Sequence, residues 1–335
     1  MTDATGDHGI DLLFMLRAIR RAMQATRIVQ ANARLESLDK DDKSPVTVAD
    51  WAAQAVVALE LGPVLAKTPL VGEEEAAALR APESVQMLVQ VLDAVSRAVG
   101  RPVKRQECLD AIDAGRSAPN RNAFFTLDPV DGTKGFLRRQ QFAVSLALIE
   151  GGVPTFGIVG CPNLPPEGGD YDKADPVGCL AFAVKGGGAW LERDHGEPQP
   201  IHIRDWKPGM PVRACESVEP AHSKQDLAAE MLALLGARGT PARLDSQAKY
   251  VVVARGGADA YLRLPVRLDY REKIWDHAAG ALIAAEAGAK VVDVEGFPLD
   301  FGRGRELVAN RGVLAGHPAI VDRLVLAYAR LKLRG

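Results

Sequence analysis

Apolar residues recur along the chain at the intervals typical of helices. Over residues 8–35 they are spaced by three or four positions, with basic residues between them, which predicts an amphipathic helix. The polar stretch 36–46 predicts a loop, and an Ala- and Val-rich helix is predicted from residue 47 to about residue 61, where Pro63 and Pro69 interrupt the pattern. Further helices are predicted at 84–100, 223–236, 275–288 and 317–333.

Short apolar runs predict strands from residue 123 onwards. The first, at 123–127, is apolar enough for a buried strand. Two pairs of runs joined by glycines predict hairpins, 142–150 with 153–159 and 179–185 with 189–192. Additional strands are predicted at 211–215, 260–264, 290–293 and 307–309. The Pro-, Gly- and Asp-rich stretch 162–178 predicts an exposed loop.

The distribution of these elements predicts two structural units. Strands joined by tight turns dominate the first part of the chain, whereas helices and strands alternate after about residue 205. We therefore expect an α+β domain with an antiparallel sheet over 1–206 and an α/β domain over 207–335.

Composition and charge exclude several classes of protein. The 335 residues are 47% hydrophobic and 25% charged, which is ordinary for a folded protein and excludes disorder as the main state. The formal net charge is −2, so no broad basic surface is expected and binding to a nucleic-acid polymer is disfavoured.

Cysteine usage and hydropathy predict the compartment. The four cysteines are scattered without a Cys-x-x-Cys pair, which argues against a disulfide framework or a structural zinc site. No run of eighteen apolar residues predicts a membrane span, and the N-terminus lacks the basic segment of a secretory signal. A cytoplasmic protein without membrane association is expected.

The hexapeptide DPVDGT at 128–133 is the strongest candidate for chemistry. Asp128 ends a predicted buried strand, and the following proline is expected to take the chain out of the strand ladder. Asp131 lies three residues further on, so both carboxylates can point to one centre together with the Val130 carbonyl, which are the oxygen ligands that Mg²⁺ prefers. Gly132 and Thr133 offer backbone N–H groups to an anion. The alternative is an ordinary Asp-Gly turn.

Three further acids lie at predicted ends of elements. Glu73 follows a short apolar run, Asp276 begins an Ala-rich helix, and Asp50 follows Thr47 by three residues. Each has an ordinary structural interpretation: an acidic first turn, an N-cap and a capping box, respectively. Taken singly, these interpretations remain open beside the functional one.

Two of these stretches together resemble the signature of a known family. DPVDGT at 128–133 and WDHAAG at 275–280, in this order, are similar to the two-part signature of the inositol monophosphatase superfamily. One branch, the 3′(2′),5′-bisphosphate nucleotidases, is resembled at KSPVTVAD (43–50), DGTKGFL (131–137), GCPNL (160–164), SVEPAH (217–222) and DSQAKY (245–250). The resemblance extends from about residue 10 to about residue 320.

The resemblance implies a fold, a metal and a reaction. The fold would be a layered α-β-α-β-α sandwich of the inositol monophosphatase and fructose-1,6-bisphosphatase type. The reaction would be hydrolysis of a phosphate monoester by direct attack of water, assisted by two or three Mg²⁺ ions. The implied metal ligands are Glu73, Asp128, the Val130 carbonyl, Asp131 and Asp276.

The resemblance also implies the remaining site residues and the substrate. Asp50 and Thr133 would orient and activate the attacking water, and the backbone of Gly132 and Thr133 would contact the phosphate. The positions matching nucleotide contacts are His222, Ser246, Lys249 and Arg263. The implied substrate is a bisphosphorylated nucleotide such as adenosine 3′,5′-bisphosphate, an intermediate of sulfur metabolism, and inhibition by lithium is implied as well.

Two stretches depart from the pattern of the branch. The insertion at 162–178 and the pair Arg138-Arg139 both lie near the expected rim of the site, where either can alter the preferred substrate. An inositol-phosphate phosphatase of the same fold is therefore the alternative function. A nucleotide-binding regulator without turnover is a more remote one, since every implied ligand is present.

Overall fold

The computed structural model describes residues 12–31, 37–39, 45–219, 224–237, 241–267 and 269–332. The helices are α1 Leu12–Gln30, α2 Val48–Leu65, α3 Val85–Val99, α4 Arg105–Asp113, α5 Thr133–Leu137, α6 Gln225–Leu234, α7 Ala248–Ala254, α8 Ala278–Glu286 and α9 Pro318–Lys332, with 3₁₀ turns at Ala78–Arg80, Pro82–Ser84 and Ile274–Asp276. The strands are β1 Ser37–Asp39, β2 Pro45–Thr47, β3 Leu70–Gly72, β4 Ala123–Asp131, β5 Ala143–Glu150, β6 Val153–Cys161, β7 Cys179–Val184, β8 Ala189–Glu192, β9 Gln199–Ile201, β10 Ala214–Glu216, β11 Ala242–Arg243, β12 Ala260–Arg263, β13 Lys290–Val292 and β14 Val313–Gly316.

These elements form five alternating layers of helix and sheet. A seven-stranded sheet has the order β3-β4-β5-β6-β7-β8-β9 and is antiparallel except for the parallel pair of β3 and β4. A five-stranded sheet has the order β11-β10-β12-β14-β13. Helices α1 and α2 cover one face of the large sheet, α7 and α8 lie between the sheets, and α9 packs on the outer face of the small sheet beside α6. The layered α-β-α-β-α sandwich predicted from the sequence is confirmed.

A shared apolar core joins the two sheets. It contains Phe124 of the large sheet, Tyr261 of the small sheet, and Val251 and Ile283 from the two helices between them, each at most 2% exposed. The division predicted at 206/207 falls in the connection between β9 and β10. Side chains of the two parts pack into this one cluster. The division into two domains stays a prediction.

Local glycine chemistry explains the first hairpin. Gly151 and Gly152 connect β5 to β6 with φ of 56° and 83°, the left-handed conformation that the two central residues of a type I′ turn require. The turn twists the strands in the direction that the sheet needs, so this sequence signal specifies the pairing. The hairpin predicted between 142–150 and 153–159 is confirmed.

Helix α2 is long and apolar enough to cross a membrane by length and composition. However, 72% of the helix is buried inside the fold, where it packs against α1, α3 and β4. This burial is that of a core helix. Pro63 lies within its last turn, so the predicted interruption at that proline is wrong.

Three strand predictions need correction. Strands β1 and β2 pair within the stretch predicted as a loop, with Ser37 opposite Thr47. Strand β4 does not end at Asp128: its register with β5 shifts after that residue and pairing resumes at Asp131. The predicted strand at 307–309 is wrong, since these residues form a turn, and β14 supplies the strand instead. In the first two cases pairing with a neighbouring strand, rather than local propensity, decides the outcome.

Gln54 of α2 connects three segments of the first half. It is fully buried, its Nε2 donates to the Glu74 carbonyl at 2.6 Å and the Ile112 carbonyl at 2.7 Å, and its Oε1 accepts from Glu74 N at 3.1 Å. Side-chain atoms at Gly72 or Gly115 would approach the amide within 2.5 Å, so both glycines leave space for it. The segment that follows β3 is thereby fixed to α2 and α4.

We expect Gln54→Leu to lower the free energy of unfolding by about 3 kcal/mol, because it removes the hydrogen bonds that Gln54 makes to three buried backbone groups. Urea denaturation measures the change. Gln106→Leu is the control, since its amide bonds to Asp110 on the exposed face of α4, and it should change the free energy by less than about 0.5 kcal/mol. Equal effects of the two substitutions would contradict the role assigned to Gln54.

Candidate active site

The parallel pair of β3 and β4 brings the first two predicted acids together. Gly72 pairs with Leu127, so Glu73 and Asp128 are the next residues on neighbouring strands. Glu73 N donates to the Leu127 carbonyl at 3.2 Å, which extends the pairing by one residue. Asp128 is 2% exposed, whereas Glu73 is half-buried. Two carboxylates therefore leave the same edge of the large sheet.

The register shift in β4 turns Asp131 toward the same edge. Val130 N donates to Asp128 Oδ1 at 3.1 Å, and the Thr133 hydroxyl donates to the Val130 carbonyl at 3.1 Å. Asp131 Oδ2 accepts from Gln247 N at 2.5 Å, a bond that crosses from the large sheet to the start of α7. A carbonyl oxygen has two lone pairs, so Val130 keeps one for another partner.

Asp276 reaches the cluster from the second half of the chain. It ends the 3₁₀ turn Ile274–Asp276, which packs against β4 and β5 immediately before α8. Its negative charge raises the pKa of Asp128, as do the charges of Glu73, Asp131 and Asp50. The other four acids predicted from the sequence therefore all lie within electrostatic reach of the buried Asp128 carboxylate.

Burial, together with this crowding, raises the pKa values of three of the acids. Burial raises the pKa of Asp128 well above its usual range, and the neighbouring Glu73 and Asp131 raise it further. Burial raises the pKa of Asp131 to about 6 and that of Asp276 well above its usual range, although Arg263 opposes both shifts. An added cation would relieve this repulsion. The donor set of carboxylates and one carbonyl suits a hard divalent ion such as Mg²⁺.

A second acidic group shares Asp276. The group contains one ligand atom from each of three residues, Glu272, Asp276 and His277, and these atoms lie within 4.8 Å of one another. Glu272 also accepts from His277 Nε2 at 3.2 Å, and the Tyr250 hydroxyl lies 2.8 Å from His277 Nδ1. The described residues thus include an acidic group able to hold a metal ion. Its hydrogen bonds continue through His277 to Tyr250, and the sequence did not predict this buried polar chain.

Arg263, predicted as a nucleotide contact, is a buried counter-ion in this structure. Its Nε lies 2.7 Å from Glu272 Oε2, and its side chain is 14% exposed. Burial alone would raise the pKa of Glu272, but Arg263 and the hydrogen bond from His277 outweigh it and lower the pKa to about 2. Glu272 is therefore ionised and paired at neutral pH.

Asp50 and Thr133 lie on neighbouring elements. Thr47 and Asp50 form the capping box of α2, in which Asp50 Oδ2 accepts from Thr47 N at 2.8 Å and from the Thr47 hydroxyl at 2.7 Å. Helix α5, which begins at Thr133, packs against β2 beside this cap. The structural interpretation of Asp50 is thus confirmed, and its charge also reaches the acidic cluster. The N-cap of α5 is Gly132, at φ 85°.

The structure buries two other predicted nucleotide contacts. Lys249 is 3% exposed; its Nζ donates to the Leu244 carbonyl at 3.2 Å and lies 5.4 Å from the ring centroid of Tyr261. Ser246 is 7% exposed, with φ of 71°, and its hydroxyl accepts from Ala248 N at 3.2 Å. Burial lowers the pKa of Lys249, and the charges of Asp131 and Asp245 oppose that shift. His222 lies outside the described residues.

A charged bridge joins the two halves at the rim of this region. Arg138, one residue after α5, donates to Asp245 at 2.6 Å and to Glu219 at 2.7 Å, and Lys134 Nζ lies 3.4 Å from Glu219. Asp245 is 4% exposed, and its Oδ1 has no hydrogen-bond partner. Asp245 also packs on Gly135, where a Cβ would approach its Oδ2 within 2.9 Å. These contacts fix the segment that contains Ser246 and Lys249.

The chain is similar to known proteins over most of its length. The model of the Inositol monophosphatase family matches residues 12–325. A 3′(2′),5′-bisphosphate nucleotidase of Schizosaccharomyces pombe is 40% identical, with 94% of this chain and 93% of the relative covered. A 3′(2′),5′-bisphosphate nucleotidase of Oryza sativa is 36% identical, with 98% and 96% covered.

Solved structures share the fold at low sequence identity. The extragenic suppressor protein suhB of Bartonella henselae superposes with a TM-score of 0.63 at 20% identity, covering 95% of this chain and 97% of that one. The IMPase of Thermotoga maritima gives 0.65 at 18% identity, covering 96% and 98%. CysQ of Bacteroides thetaiotaomicron gives 0.58 at 20% identity, covering 91% and 96%. By sequence match over nearly its whole length, this chain belongs to the inositol monophosphatase family.

Proposed function

We propose that the protein is a Mg²⁺-dependent phosphatase that removes the 3′ or 2′ phosphate from 3′(2′),5′-bisphosphate nucleotides such as adenosine 3′,5′-bisphosphate. The observation that carries the proposal is the carboxylate cluster at the ends of β3 and β4 and at Asp276, in which the pKa values of Asp128, Asp131 and Asp276 lie above their usual range. The substrate class rests on the relatives of that name, which match over more than nine-tenths of both chains.

The proposed metal ligands are Glu73, Asp128, the Val130 carbonyl, Asp131 and Asp276. When bound, two or three Mg²⁺ ions would supply an acidified water and charge stabilisation at the leaving oxygen. The chain contributes rigid donors: Gln247 N holds Asp131, and the register shift in β4 holds the Val130 carbonyl. An open coordination position for water and phosphate completes such a site.

Two side chains and one turn are proposed to act on the reacting groups. Asp50, held by Thr47, accepts a hydrogen bond from the attacking water and orients it with the Thr133 hydroxyl. The backbone N–H groups of Gly132 and Thr133 donate to the phosphate. Gly132 adopts the left-handed conformation, and a Cβ there would lie 3.0 Å from the Asp245 side chain. The position therefore favours glycine.

The proposed nucleotide contacts are His222, Ser246, Lys249 and Arg263. A second phosphate adds negative charge beside the carboxylate cluster, so nearby cations are needed to compensate it. Lys249 and Arg263 lie close enough to Asp131 to lower its pKa, and they supply that charge. We further propose a cytoplasmic protein acting on a small nucleotide rather than a polymer, in agreement with the net charge of −2.

A panel of substrates tests the proposed function. Adenosine 3′,5′-bisphosphate, its sulfated form and inositol 1-phosphate are compared by phosphate release, with and without Mg²⁺ and with added Li⁺. We expect the nucleotides to be preferred, activity to require Mg²⁺, and Li⁺ to inhibit. Preference for inositol 1-phosphate would favour the inositol-phosphatase alternative, and tight nucleotide binding without phosphate release would favour the regulatory one.

We expect Asp131→Asn to lower kcat by roughly 100-fold or more, because one ligand charge is lost. The amide oxygen can still accept from Gln247 N, and removing one of several repelling carboxylates should not lower the melting temperature of the metal-free protein. Asp170→Asn is the control, since Asp170 pairs with Lys173 in an exposed loop. Near-normal activity of Asp131→Asn at moderate Mg²⁺ concentration would overturn the metal assignment.

The structural role of Arg263 can be separated from nucleotide binding. We expect Arg263→Met to lower the free energy of unfolding by about 3 kcal/mol, because the buried charge of Glu272 loses its ion-pair partner and keeps only the hydrogen bond from His277. Adding Glu272→Gln should recover part of the loss. Chemical denaturation of the single and double variants measures both effects.

The control for Arg263 is Arg267→Met, which removes an exposed pair with Asp269 and should leave the stability unchanged. If Arg263→Met keeps full stability and raises KM for the bisphosphate alone, Arg263 is a substrate contact rather than a counter-ion.

A further inference from the structure

One arginine outside the sequence motifs, Arg305, contacts the segments that carry two of the proposed metal ligands. Arg305 lies in the connection between β13 and β14, and its guanidinium contacts three distant segments. Nη2 donates to the Gly72 carbonyl at 2.6 Å, and Nη1 donates to the Ser117 carbonyl at 3.4 Å. The guanidinium carbon lies 4.8 Å from the ring centroid of Trp275. Such a stacked, forked contact is specific to arginine.

Two of the residues that Arg305 contacts are direct sequence neighbours of proposed metal ligands. Gly72 immediately precedes Glu73, and Trp275 immediately precedes Asp276. These two proposed metal ligands come from opposite halves of the chain, 203 positions apart by numbering (276 − 73). The Arg305 side chain therefore spans the junction directly behind one ligand of each half.

The backbone around Arg305 fixes one side of this junction. Ile274 N donates to the Arg305 carbonyl at 3.1 Å, Lys273 and Glu306 form an isolated antiparallel bridge, and their side chains pair at 2.5 Å. The segment thus moves together with the turn that contains Asp276. The guanidinium then attaches this unit to the end of β3.

We propose that Arg305 is a positioning residue that fixes Glu73 relative to Asp276 and thereby sets the affinity of the site for Mg²⁺. This inference rests on the proposed function, because it takes both acids as metal ligands. Arg305 does not replace a ligand, because its donors bond to the backbone carbonyls of Gly72 and Ser117. Mg²⁺ requires nearly ideal octahedral geometry, so a small displacement of one ligand against the other lowers the affinity.

The charge of Arg305 also acts on the proposed ligand Glu73. Burial lowers the pKa of its guanidinium, and the charges of Glu75 and Glu73 oppose that shift, so the cation faces Glu73 from behind the strand end. The positive charge attracts the Glu73 carboxylate and so helps to hold it at the end of β3. Lysine would keep the charge but lose the planar stacking on Trp275 and the two-pronged donation.

The test measures Mg²⁺ binding directly, by isothermal titration calorimetry on the full chain without substrate. We expect Arg305→Ala to weaken binding by roughly 10- to 100-fold, the range found for groups that orient metal ligands, and Arg305→Lys to lie between it and the wild type. In steady-state assays the Mg²⁺ concentration for half-maximal rate should rise in parallel. At saturating Mg²⁺, the KM for the nucleotide should stay near that of the wild type.

Arg303→Ala is the matched control. Arg303 lies in the same connection, but its side chain is 63% exposed and pairs with Asp300 three residues away. It removes the same charge from the same loop without touching the junction, and it should bind Mg²⁺ as the wild type does. An equal loss of affinity in both variants would show that the effect is not specific to the junction and would overturn the positioning role.

Glu73→Gln separates failure of this inference from failure of the proposed function. If Glu73→Gln loses Mg²⁺ binding while Arg305→Ala retains it, the metal site stands and the role of Arg305 is wrong. If Glu73→Gln binds Mg²⁺ as tightly as the wild type, the proposed metal site itself is wrong. If Arg305→Ala does not unfold cooperatively, Mg²⁺ binding is measured on Arg305→Lys instead. Wild-type Mg²⁺ affinity in that variant contradicts the proposal.

Discussion

Electrostatic repulsion among enclosed carboxylates is the constraint that this architecture has to satisfy. Asp128, Asp131 and Asp276 all have pKa values above their usual range, and burial is the largest cause for each. A fold does not gain stability by collecting such groups. Their assembly is therefore a cost that the surrounding apolar core offsets, and it makes the region responsive to cations. Arg263 and Lys249 supply part of the compensating charge from the protein itself.

The acids stay together because rigid elements hold each one from behind. Parallel pairing places Glu73 beside Asp128, Gln54 fixes the segment after β3 to α2, and Gln247 N holds Asp131. None of these supports is itself an acid. The shared core between the sheets then keeps Asp276 near β4, so the cluster depends on packing that extends well beyond the cluster.

Local sequence predicted the elements and motifs, but not the long-range partners. Glycines at 151 and 152 specify a hairpin, and the Thr47 capping box specifies a helix start, because each signal is complete within a few residues. Strand β4 passes through Pro129 since β5 provides pairing on the far side of the register shift. Likewise, nothing near Arg263 in the sequence indicates that Glu272 will neutralise it. Such contacts follow from tertiary packing, which a single sequence does not display.

The ion pair between Arg263 and Glu272 makes Lys249 the main source of positive charge at the proposed nucleotide site. Arg263 lies against ionised Glu272, so the two together present little net charge to a ligand. Lys249 forms no ion pair within the part of the chain that the structure describes, and its Nζ bonds to a neutral carbonyl. The charges of Asp131 and Asp245 act on Lys249 without a salt bridge among the described residues, so its positive charge is less directly compensated than that of Arg263. Under the proposed activity, a second phosphate is therefore attracted mainly by the field of Lys249.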